Sequence, residues 1–169
     1  MTHRPFGEAG APNKRLGEGR RPTMIEFTRD PNHWLRRLSP REWIRAALSE
    51  LARAEIAWQR GQVRAGAVGA NRAAGMALNA VLIVEPADRW GRTYVEHLEA
   101  LATDVSAPQA VRDACQRVLD SRARSGDVVA LRTPRAHVLV IEAARDVIAH
   151  AWAIMKRHDA SDDHDASDD

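Results

Sequence analysis

Cysteine is all but missing. Cys115 is the only one, so the chain can neither close an internal disulfide nor build a cysteine-rich zinc site, and a reducing compartment is expected. The lone thiol is read as a small buried filler. Aromatic residues make up 5% of the sequence, which disfavours strands and leaves helices built on Ala, Leu and Arg. Lysine is confined to Lys14 and Lys156, so nearly all positive charge is arginine. No apolar run is read as long enough to span a membrane, and Met1-Thr2-His3-Arg4-Pro5 leads into no secretory apolar region. A cytoplasmic protein with no membrane partner is expected.

What remains is a chain of 169 residues, enough for one domain with a sizeable core. Its formal charge of +2 conceals a division. Residues 159–169 hold six aspartates and no basic residue, leaving 25 basic against 17 acidic residues elsewhere, a net +8. A moderately basic body suits an anionic partner such as nucleic acid, although arginine-rich composition also has non-functional origins.

Residues 1–22 combine Gly, Pro and charge without apolar periodicity and read as a disordered leader or an expression remnant. Residues 158–169 are two copies of His-Asp-Ala-Ser-Asp-Asp, an acidic low-complexity tail with nothing to bury. The single domain is expected over residues 23–157.

Helix punctuation is legible within it. Ser39-Pro40-Arg41-Glu42 is a capping box with proline at the first helical position, predicting a helix from Pro40 to near Gly61. A second helix, Gln62 to Val84, carries Ala65, Gly66, Gly69, Ala70, Ala73, Ala74, Gly75 and Ala77. Small residues admit close neighbours, so this helix should be central, and Pro86 should end it. A third is expected from about Arg92 to Ala102, with His97 as a structural histidine. Ser106-Ala107-Pro108 opens a fourth that fails at Ser125-Gly126, and Thr133-Pro134 opens the last, to about Arg157. Residues 127–131 read as a packed loop, and residues 24–38 as a partial helix around Trp34 and Leu35. The fold class is all-α, an up-and-down bundle of about five helices with short connections.

On the last helix, Val138, Ile141, Arg145, Ile148, Trp152 and Met155 alternate in steps of three and four. Arg145 therefore interrupts an apolar stripe, and it must meet a carboxylate, carbonyls, solvent in a cleft or a bound anion. The structural alternative is a salt bridge to an acid such as Glu142 or Glu96. Asp146 and His150, four apart, stand one above the other, where the carboxylate would orient the imidazole and favour its charged form. Arg145 and His150 lie roughly 140° apart around an ideal helix. Either the arginine reaches around, or a second copy across a two-fold axis completes the site; the dimer is the favoured reading.

Arg145-Asp146-Val147-Ile148-Ala149-His150 resembles the motif of the HEPN superfamily, an arginine and a histidine separated by four to six residues, with Asn or Asp directly after the arginine. Ala73-Ala74-Gly75-Met76-Ala77-Leu78-Asn79-Ala80-Val81-Leu82 resembles the family's small-residue central helix, and Tyr94-Val95-Glu96-His97-Leu98 the segment after it. The resemblance spans about residues 40–157. It implies a helical, usually dimeric domain that in many members is a metal-independent endoribonuclease without a cofactor, often a toxin or defence protein restrained by an antitoxin or nucleotidyltransferase partner. Arg145 and His150 would then be catalytic, with Asp146 supporting them. The RNA 2′-hydroxyl would attack the adjacent phosphate while His150 moves a proton and Arg145 stabilises phosphoryl charge. The branch paired with a nucleotidyltransferase carries a modifiable tyrosine two residues after the histidine. Here Trp152 stands there without a hydroxyl, and core or dimer packing is expected of it.

A noncatalytic helical module binding a nucleotide or protein is the second reading. A DNA-binding regulator is a weaker third, for want of a basic recognition helix.

Overall fold

The computed structural model describes residues 27–123 and 134–165, with side chains described over 27–122 and 135–159. The leader, the loop read at 127–131 and the last four residues of the acidic tail lie outside the described residues. What is described is an all-α bundle of five helices: α1 (Pro40–Gln59), α2 (Val63–Val84), α3 (Tyr94–Thr103), α4 (Gln109–Ala123) and α5 (Pro134–Asp165).

The start of α1 follows from its capping box. The Ser39 hydroxyl accepts from the Glu42 amide while Glu42 accepts from the Ser39 amide at 2.8 Å. Arg29 donates to the same Glu42 carboxylate at 2.6 Å, and these bonds to its charged form hold the Glu42 pKa down at about 2, the Ser39 backbone amide foremost. Residues 27–39 form turns and bends rather than the expected partial helix. They dock through side chains: Leu35 supplies its carbonyl to the Trp43 indole N–H at 2.8 Å, and Trp34 stacks on His97.

α2 is the central element, packing against all four other helices. By length and composition alone it is apolar enough to cross a membrane, but most of its apolar surface is buried within the bundle. Its small residues allow that packing. A Cβ on Gly66 would lie 2.4 Å from the Trp58 ring of α1, and one on Gly75 would lie 2.2 Å from the Tyr94 Cβ of α3. Buried Glu50 on α1 ties the pair together by accepting from Arg53 at 2.6 Å and Arg72 at 3.0 Å.

After α2 the chain turns back through a short 3-10 segment, Asp88–Trp90, so that α3 begins beside Gly75 in the middle of α2. A second capping box, Thr93 with Glu96, starts α3. α5 runs past the expected end near Arg157, to Asp165. It lies antiparallel to α1, as Arg145 pairs with Glu55 and Arg41 with Asp159. Cys115 is fully buried and its thiol pKa is pushed up to about 12 by burial, which suits the filler role.

His97 is fully buried among Trp34, Tyr94 and α2, and neither ring nitrogen makes a hydrogen bond of ordinary geometry, although the Gly75 and Gly91 backbones lie close. Burial lowers its pKa below the ordinary 6.5, against a smaller raising effect of those two backbones and Glu96. The folded state therefore holds His97 neutral, so its contribution to stability is complete above 6.5 and is lost as pH falls below that value. Thermal unfolding is expected to show a falling Tm from about pH 7 to about pH 5, and His97→Phe should shrink that fall while keeping the ring contacts. An equal fall in both proteins would exclude His97 as its source.

Candidate functional site

α5 positions all three sequence-predicted residues. Its buried stripe comprises Val140, Ile141, Ala143, Ala144, Val147, Ile148, Ala151, Ile154 and Met155. Arg145 does not interrupt this stripe but borders it, along with Val138 and Trp152. These three lie seven residues apart, and each is about half exposed. The stripe is wider than a strict heptad seam and centres on Ala144, Val147 and Ala151, leaving the 138–145–152 row at its edge.

Arg145 reaches toward α1 and donates to Glu55 at 3.1 Å; both side chains are largely exposed, 54% and 41%. A pair this wet contributes roughly 0–1 kcal/mol. Its partner is thus neither Glu142 nor Glu96, and the guanidinium exchanges partners at little cost.

His150 faces the opposite flank of α5. It is half-buried, and its pKa is lowered, first by burial and then by Arg157, with Glu85 acting in the opposite sense. The imidazole is therefore neutral near pH 7. Asp146 is exposed and makes no hydrogen bond or ion pair with His150, so the expected orienting contact is absent between these described residues. Within one chain Arg145 and His150 diverge as the helical repeat requires. Between them lies an exposed strip of α5 bearing Glu142, Asp146, Ala149 and Ala153.

Beside Arg145 runs a groove of about 630 Å³ between α1 and α5. Ile44, Leu48, Ile148 and Trp152 make its apolar wall, and Arg41, Arg45 and Arg145 its cationic rim. Arg41, Arg45 and Leu48 are spaced by four and three on α1, so one helix face delivers them together. Trp152 is 44% exposed here, not packed in the core. Arg41 donates to Asp159, the first aspartate of the acidic segment, at 2.9 Å.

Sequence reading missed this groove, because each of its arginines looks like ordinary helix surface until α1 and α5 are set side by side. Among the described residues, no cluster of three His, Cys, Asp or Glu stands close enough to hold a metal ion. No protein-family model, curated protein or solved structure matches the chain.

Proposed function

We propose that the chain is a HEPN-type endoribonuclease acting as a homodimer, with catalytic residues Arg145 and His150 and no metal in its chemistry. The observation that carries this reading is that an exchangeable guanidinium and a neutral, half-buried imidazole flank one exposed strip of one helix. A two-fold related α5 laid across that strip would bring Arg145 toward His150 of the partner subunit, the convergence one phosphate requires.

In the reaction, neutral His150 takes the proton of the RNA 2′-hydroxyl as its oxygen bonds to phosphorus. The P–O5′ bond breaks, and the departing oxygen is protonated by the imidazolium or by water. Arg145 holds the non-bridging oxygens as charge develops on them. The products are a 2′,3′-cyclic phosphate and a 5′-hydroxyl. Asp146, exposed beside the strip, is assigned a supporting role toward the partner subunit rather than toward its own His150. The basic body favours an RNA substrate, and the lone buried thiol is compatible with the cytoplasm. The physiological role of this reading is a toxin or defence protein restrained by a cognate antitoxin or nucleotidyltransferase, with Trp152 excluding control by tyrosine modification at that position. The test is incubation of purified protein with RNA in EDTA: cyclic-phosphate ends are expected, and RNA binding without cleavage would overturn the reading.

A noncatalytic module that binds a nucleotide or protein is favoured by two specific features, the Arg145–Glu55 pair and the missing Asp146–His150 contact. On that reading Arg145 is a phosphate-holding or structural cation and His150 has no chemical role.

A further inference from the structure

We propose that the α1–α5 groove is a subsite for single-stranded RNA, in which one nucleobase stacks on the exposed indole of Trp152 and the flanking phosphates pair with Arg45 and Arg41. The choice of RNA rests on the ribonuclease reading; the site itself rests on the groove.

Three observations support it. First, the wall is apolar and contains a large aromatic ring, 44% exposed, which no described side chain covers with a ring of its own. Stacking on such a ring accepts any base. Second, the rim is cationic beyond its internal pairing. Arg41 pairs with Asp159 and Arg145 with Glu55, Lys156 nearby shares Asp159, and Arg45 makes no hydrogen bond or ion pair among the described residues. The Lys156 ammonium lies over the Trp152 ring, 6.0 Å from its centre, so a stacking base takes the free face or displaces that exposed side chain, whose charge stays at hand for a phosphate. Third, the cations are strung along the groove. Arg145 sits at one end and Arg41 at the other, where α5 has advanced to Asp159, about 21 Å at 1.5 Å per residue. A strand held at Arg145 for cleavage would leave along this line.

The partner α5 of the proposed dimer would lie on the Ala153 side of Arg145 and the strand on its Trp152 side, with Ala149 common to both; a second copy seated in the groove itself would set Arg41 and Arg45 against their own counterparts. The Asp159 carboxylate already occupies Arg41, as a phosphate would, and an entering strand displaces that exposed pair.

The experiment uses the full chain and a fluorescent 2′-O-methyl RNA oligonucleotide, which lacks the nucleophile and cannot be cut. Trp152→Ala is expected to raise Kd by about tenfold, with Trp152→Phe restoring most of the affinity. Arg45→Gln is expected to flatten the slope of log K against log salt by about 0.7, one phosphate contact on a single strand. An unchanged Kd in Trp152→Ala overturns the proposal, and so does an unchanged Kd accompanied by dissociation to monomer in sedimentation, which would assign the groove to a second copy. Dependence on Trp152 and Arg45 without cleavage of ordinary RNA would uphold the subsite and sink the ribonuclease reading. Cleavage with binding blind to both residues would do the reverse.

Discussion

Replacing His150 with alanine is expected to slow RNA cleavage by about 10²–10⁴-fold, the usual worth of a positioned general base, while leaving the fold intact. The two halves of that expectation have separate grounds. His150 is only half-buried and has no hydrogen-bond partner whose loss would leave a buried group unsatisfied. Its removal should therefore leave the Tm near that of the parent. In the proposed mechanism His150 acts in its neutral form, and burial followed by Arg157 lowers its pKa below 6.5. The acid limb of kcat/KM against pH should accordingly lie below 6.5, where the imidazole at last takes up a proton. An equally active variant would remove His150 from the mechanism, and one unfolded by circular dichroism would contradict its placement as a dispensable half-buried side chain. If Arg145→Ala and His150→Ala both strongly destabilise the chain, the noncatalytic reading gains.

The largest expected effect on stability belongs to Gly75→Ala. Alanine is ordinarily the better helix former by roughly 1 kcal/mol, so on propensity alone the substitution should stabilise α2. Packing decides the sign. The added Cβ would lie 2.2 Å from the Tyr94 Cβ and 2.8 Å from its Cα, so backbone as well as side chain must move. Tyr94 is the first residue of α3, fixed in place by the Thr93–Glu96 capping box, and it also meets the His97 ring edge-on. We expect a net loss of about 2–3 kcal/mol from overpacking, read as a lower urea midpoint at unchanged m-value. A midpoint equal to or above that of the parent would mean that α3 does not lie against α2 in solution as described.

The elements with strong local signals were legible in the sequence. Ser39-Pro40-Arg41-Glu42 marks α1 because a capping box is a local arrangement that needs no tertiary partner. The small residues of α2 indicate a crowded neighbour, and the helix does pack against all the others. The start of α3 was read two residues early, though Thr93 and Glu96 carry the same signature as Ser39 and Glu42. Residues 27–39 are less legible: Trp34 is anchored on His97, far along the chain, and Leu35 on the Trp43 indole of the next element, and neither contact shows as helical periodicity. On α5 the face read through Val138, Ile141, Arg145, Ile148, Trp152 and Met155 is buried at Ile141, Ile148 and Met155 and exposed along the row Val138, Arg145 and Trp152. Only knowing which helices cover α5 distinguishes that row from its neighbour through Ala144, Val147 and Ala151. The divergence of Arg145 and His150, by contrast, was legible from helical rotation alone. The groove was not, because it belongs jointly to two helices that are distant in sequence.

The central claim is that a working site takes Arg145 from one subunit and His150 from the other. Mixing Arg145→Ala protein with His150→Ala protein, after reversible dissociation, tests it most directly. Each mixed dimer would hold one site with both native residues and one with neither, so random pairing should restore about one quarter of the parental cleavage rate from two inactive proteins. A mixture that stays as inactive as its components, with mixed dimers demonstrated to have formed, would contradict the shared site.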